Sequence, residues 1–268
     1  MSYAVLPQPP IDSTVSSAVE ATVITVMATL VVAALVFALV HWRASGPPTV
    51  LMLFLAGGAM MVLEPFVDVG GACWHPSDLA RVFTLWDRPM PVWLCLTYFV
   101  YFGIGGGLSW LALRRSPTRR VIWGVFIAAI LADAVMENVL MNWHLYVYYG
   151  NQPLRVLNFP LWWAPVNSLI NIAVAAAVVR YERSLRGVRQ LLIVPLALGI
   201  SLAVNSIAGF ASWTAINSSF TGVGLQLSGL VTFGVAILLV RLIAGVMATP
   251  TPDTTASENV NSKEGLTV

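Results

Sequence analysis

Stretches of about twenty apolar residues recur along this chain, and each is long enough to cross a hydrocarbon core of about 30 Å as a helix. Backbone in lipid must satisfy its own hydrogen bonds, which restricts a spanning segment to a helix or a closed barrel. Continuous apolar runs of this length select the helix. Only 10% of the 268 residues are charged, against about 25% in a soluble domain. The expected fold class is all-α: a polytopic membrane protein, built as a seven-helix transmembrane bundle in the cell membrane.

The seven runs are read as Val19–Trp42, Thr49–Val69, Pro91–Leu113, Val121–Asn142, Pro160–Val179, Gln190–Ser212 and Gly222–Arg241. The first is too long for a secretory signal and no positive charge precedes it, so it is expected to stay as a helix. Eleven of the fourteen basic residues fall in one set of loops and the tail, among them Arg114, Arg115, Arg119, Arg120 and Arg180. Arg81, Arg88 and Arg155 occupy the other set. The positive-inside bias then puts the N-terminus outside and the C-terminus in the cytoplasm. Three regions follow: an extracytoplasmic segment 1–18, a transmembrane domain 19–247 and a polar Pro/Thr/Ser-rich tail 248–268, expected to be disordered and cytoplasmic.

Within this lipid-soluble frame stands "LADAVMENVLMNWHLYVYYGNQP", Leu131 to Pro153. It carries Asp133 and Glu137 four residues apart. The same spacing recurs in Glu64/Asp68 and Asn167/Asn171. Residues four apart share a helix face. With the orientation above, all three pairs lie in the outer halves of their spans, as do Asn205, Gln226 and Ser228. The cytoplasmic halves are almost purely aliphatic. An ionised carboxylate at the bilayer centre costs about 2.5–3.5 kcal/mol on the lenient scale, so the polar faces are expected to converge on a shared interior. Plainer readings stand beside this one. Asn205, Gln226 and Ser228 suit interhelical hydrogen bonding, Asp68 suits the headgroup boundary, and Trp162, Trp163 and Tyr149 suit an interfacial aromatic belt. Pro65 withdraws one helical donor and is expected to kink the second span. Gly103–Gly107, "GIGGG", lies inside a span and reads as close helix packing.

Several chemistries are excluded. The only lysine is Lys263, in the tail, so no span offers a retinal Schiff base. No helix-borne zinc motif, nucleophile elbow, phosphate loop or haem motif occurs. Cys73 and His75 form a C-x-H pair in a loop, without the further ligands of a usual zinc site, so no metal or other cofactor is expected. A net charge of +2 gives no reason to expect nucleic acid. The expected partners are the bilayer and a lipophilic small molecule. Carboxyls, amides and aromatics around an apolar cavity suit acid catalysis on such a molecule. A neutral carboxyl protonates an alkene, ketone or hydroxyl, aromatic faces stabilise the cation, and a second carboxylate takes the proton back.

The ordered series "LEPFVD", "PMPVW", an arginine loop, "ADAVME", "YYG" and "FPLWW", from about Leu63 to Trp163, resembles the actinobacterial membrane spirocyclase family. Integral-membrane terpene cyclases, also seven-helix proteins with essential carboxylates, are a looser analogy. The resemblance implies ring closure of a dihydroxyketone through an oxocarbenium ion. In this sequence Asp68 stands where an amide is expected, and "YYG" lacks the family's proline. The expected function is a cofactor-independent cyclase or isomerase for an isoprenoid or polyketide-like substrate. Glu64 and Glu137 are the expected proton donor and partner, with Asp68 and Asp133 orienting them. Asn167 and Asn171 are expected to hold a substrate oxygen, Trp162, Trp163 and Tyr149 to face the cation, and Asn205 to line the site. The rival classes are a proton-coupled carrier and a lipid-binding subunit without chemistry.

Overall fold

In a computed structural model, residues 6–248 are described, and the proposed tail from 249 onward lies outside them. Among the described residues, seven helices are long and apolar enough to cross a membrane: Ser17–Ser45, Thr49–Gly71, Val92–Arg115, Arg119–Asn142, Trp163–Arg180, Gly187–Ala208 and Gly222–Ala248. They are called the first to seventh spans. The last runs seven residues past its expected end at Arg241. The sixth stops at Ala208, before a short helix Phe210–Ile216.

The fifth span is the hub. It packs against the third, fourth, sixth and seventh spans, and 72% of its most apolar window is buried. The first span lies at the periphery and packs against the second and third. Its Val26, Val32, Val36 and Val40 are exposed. Exposed aliphatic side chains also ring the fourth and seventh spans (Leu131, Val135, Leu230, Leu242). Such an apolar girdle is unsustainable in water and suits lipid contact.

The second and third spans meet backbone to backbone. A Cβ on Gly57 would lie 2.1 Å from the Gly103 nitrogen, and one on Gly103 would lie 2.8 Å from the Phe54 carbonyl oxygen. Only hydrogen fits at either position, which is the packing role expected for the "GIGGG" run. The third span is wound as a π-turn over Phe99–Ile104 beside this contact. The second span tightens into a 3-10 turn at Met61–Leu63 and resumes as α-helix at Glu64–Gly71, with Pro65 in its first turn. Proline lacks the donor that would continue the ladder, so the helix is re-set immediately before the acidic pair.

The helical bundle expected from the sequence carries short strands at one end. At the end of the bundle opposite Arg114, Arg115 and Arg180, the loops form three antiparallel two-stranded sheets. Strand β1 (Cys73–Trp74) pairs with β4 (Val147–Tyr148), matching Cys73 to Tyr148. Strand β2 (Arg81–Leu85) pairs with β3 (Arg88–Pro91) through a turn at Trp86–Asp87, and β5 (Arg155–Val156) pairs with β6 (Phe159–Pro160). These strands run two to five residues, too short for an alternating pattern to be read. Pairing gives the loop amides partners where helix can no longer supply them.

Candidate functional site

A cavity of about 70 Å³ lies in the half of the bundle nearest the sheets. Its lining includes Glu64 from the second span, Tyr98 and Tyr101 from the third, Asp133 and Glu137 from the fourth, Trp163 and Asn167 from the fifth, and Asn205 from the sixth. Apolar walls are supplied by Val67, Leu94, Phe102, Met136 and Ile170. Five spans therefore converge here. The two fourth-span carboxylates share one face because they are four residues apart, and that face is turned inward: Asp133 is 1% exposed and Glu137 8%, whereas neighbouring Val135 is 66% exposed.

Each carboxylate is held from another element. Tyr98 donates its phenol hydroxyl to Glu64 Oε2. Tyr146 donates to Glu137 Oε2, and Tyr148 approaches the same oxygen at 3.3 Å. Asn167 Nδ2 lies 3.4 and 3.3 Å from the two Asp133 oxygens. Tyr146 and Tyr148 are two apart on an extended segment, so their side chains project to the same side. Burial, then the nearby Glu137 charge, pushes both phenols well above the ordinary tyrosine range. They remain protonated donors at neutral pH. No arginine or histidine forms an ion pair with Glu64, Asp133 or Glu137 among the described residues. Hydroxyls and one amide solvate these acids in place of countercharges.

Four expected residues are placed elsewhere. Asp68 does not line the cavity. Its side chain is 1% exposed and faces His75, with Nε2 3.6 Å from Oδ2. The re-set of the second span at Pro65 and its end at Ala72 account for this turn. Ala72, at φ +52°, folds the chain back so that Cys73 and His75 return toward Asp68. Asn171 is spent on structure, donating to the Tyr101 carbonyl at 3.3 Å beside the π-turn. Trp162 is fully buried behind Trp163, with ring centroids 4.1 Å apart. Tyr149 is outside the cavity and accepts a hydrogen bond from Arg88 Nη2 at 2.7 Å. The Arg88 guanidinium is sandwiched between Trp74 and Tyr149, 5.4 and 5.6 Å from the ring centroids. Asn205 does line the cavity, with its amide nitrogen donating to the Ser201 carbonyl at 3.0 Å.

Tyr146 and Tyr148 are the site residues least visible in the sequence. The available signal was their period-two spacing just after the acidic helix. Asp68 likewise completes a set with Cys73 and His75 that loop spacing alone does not disclose. Comparison with family models, curated proteins and solved structures finds no match.

Proposed function

We propose that this protein is an integral-membrane cyclase or isomerase, working by carboxyl acid–base chemistry on a lipophilic isoprenoid or polyketide-like molecule in the cell membrane. The observation that carries the reading is the convergence of Glu64, Asp133 and Glu137 on one cavity without a countercharge. Carboxyls placed inside an apolar bundle are costly and are retained for function by default. Here they stand in differing surroundings, with two phenols on Glu137, one on Glu64 and an amide on Asp133.

The proposed reaction is spiroketal-type closure of a dihydroxyketone. One hydroxyl first adds to the ketone to give a hemiketal. Glu64, as the acid, protonates the hemiketal hydroxyl, which leaves as water. The resulting oxocarbenium ion sits against the faces of Trp163 and Tyr101, where a desolvated cation gains about 2 kcal/mol or more. The second hydroxyl attacks, and Glu137 accepts its proton. The net change is loss of one water, and the proton returns from Glu137 to Glu64 through the cavity. Asn167 holds Asp133 in place so that it orients the substrate oxygen. This assignment agrees with the family resemblance and with an N-terminus outside, which places the cleft toward the outer leaflet.

The size of the inner cavity favours a second reading. About 70 Å³ is room for a few waters and lies well below the range of about 300–1,000 Å³ typical of ligand pockets. That suits a proton relay in a carrier. Purified protein in detergent separates the two readings. Conversion of a linear dihydroxyketone or polyprenyl substrate without a membrane gradient supports the enzyme. Uptake into proteoliposomes driven by a pH gradient, without conversion, supports the carrier.

A further inference from the structure

We propose that Asp68, Cys73 and His75 bind a divalent transition-metal ion of the zinc class. The Asp68 carboxylate, the Cys73 sulfur and a His75 ring nitrogen all lie within 4.8 Å of one another. Tetrahedral zinc, with bonds of about 2.0–2.3 Å, holds its ligand atoms roughly 3.3–3.8 Å apart. The His75 Nε2–Asp68 Oδ2 separation is already 3.6 Å. A side-chain adjustment of about 1 Å across the rest of the triangle closes the set.

The burial of these groups points the same way. Asp68, Cys73 and His75 are 1%, 4% and 2% exposed. Among the described residues, neither Asp68 oxygen and neither His75 nitrogen has a hydrogen-bond partner. Buried polar atoms are nearly always satisfied, and leaving one unsatisfied costs about 1–3 kcal/mol. An unpartnered carboxylate and an unpartnered imidazole beside a buried thiol describe a ligand set. A cation satisfies an oxygen and a nitrogen directly, and binding of the thiolate releases one proton to solvent. The mixed O, N and S donors select zinc, cobalt or a similar ion over magnesium or calcium, which take oxygen. Three protein ligands leave the fourth position to water.

The site has a structural consequence for its surroundings. His75 packs on Tyr146 with ring centroids 5.6 Å apart, and Tyr146 is the phenol that holds Glu137. Cys73 is paired to Tyr148 through β1 and β4. A cation tying the end of the second span to β1 therefore fixes the layer that delivers both tyrosines. Metal binding stands independently of the cyclase reading.

The test uses full-length protein in detergent, freed of any affinity tag and stripped with chelator, then titrated with cobalt(II). The expected result is one bound equivalent with a near-ultraviolet sulfur-to-cobalt charge-transfer band, displaced by zinc. Cys73→Ser should abolish that band, and His75→Ala and Asp68→Asn should lose the bound metal after desalting. The native protein alone decides the matter should a variant fail to fold. Native protein that retains no cobalt or zinc, or binds cobalt without a thiolate band, overturns the proposal. So does retention of the band in a folded Cys73→Ser variant.

Discussion

Glu137, in the fourth span, accepts the phenol hydroxyl of Tyr146, a residue that lies beyond the end of that helix in the loop leading to β4. The acid is thus gripped from outside the bundle, and its function depends on loop structure. Tyr146→Phe removes that donor while Tyr148 remains at 3.3 Å. A hydrogen bond to a charged group contributes about 1.5–3 kcal/mol, and 1.36 kcal/mol is tenfold in rate. With one phenol left, turnover should fall about tenfold. The double Tyr146→Phe, Tyr148→Phe variant should fall further, and steady-state product formation measures both.

Asn167 is the hydrogen-bond partner of Asp133 across the fourth and fifth spans. Asn167→Leu removes the amide donor from a buried carboxyl, and a lost partner of this kind costs about 1–3 kcal/mol. Thermal unfolding in detergent should shift downward. Adding Asp133→Leu should recover part of the loss, because removing both polar partners is nearly neutral. A double variant no more stable than Asn167→Leu would argue against the pairing.

Gly57→Ala places a methyl 2.1 Å from the Gly103 nitrogen. Backbone cannot yield as a flexible side chain does, so the second and third spans must separate. Overpacking of this kind costs about 1–3 kcal/mol or more. The variant should unfold at a distinctly lower temperature, whereas Gly234→Ala, with nothing within 4 Å of its Cβ, should not.

Sidedness is open to direct labelling. The proposed orientation exposes Asn151, beside the sheets, to the outside and Arg183, in an arginine-rich loop, to the cytoplasm. In a background with Cys95→Ala, Asn151→Cys should react with an impermeant maleimide in intact cells, and Arg183→Cys only after lysis. The reverse pattern would invert the orientation.

Much of the bundle was legible because helix-length apolar runs and the i, i+4 rule act locally. Asp133 and Glu137 had to share a face, and burial of a carboxylate on a lipid-facing helix left only the interior. The placement of Asp68 was harder to read. It shares spacing with Glu64, but Pro65 and the left-handed Ala72 redirect the chain there, and its partners come from the following strand. The side to which Tyr149 turns is set by pairing between distant segments, as between Cys73 and Tyr148, and no local period records that.

The central claim is that Glu137 moves a proton in catalysis. The most direct measurement is turnover of a cyclisable lipophilic substrate by purified native protein and by Glu137→Gln, without nucleotide or membrane potential. The substitution keeps the shape and some hydrogen bonding but cannot exchange the proton. Positioned acid–base groups contribute about 10²–10⁴-fold. The expected result is a fall of that size, with substrate binding and thermal stability nearly unchanged. Native-like product formation by Glu137→Gln would contradict the claim.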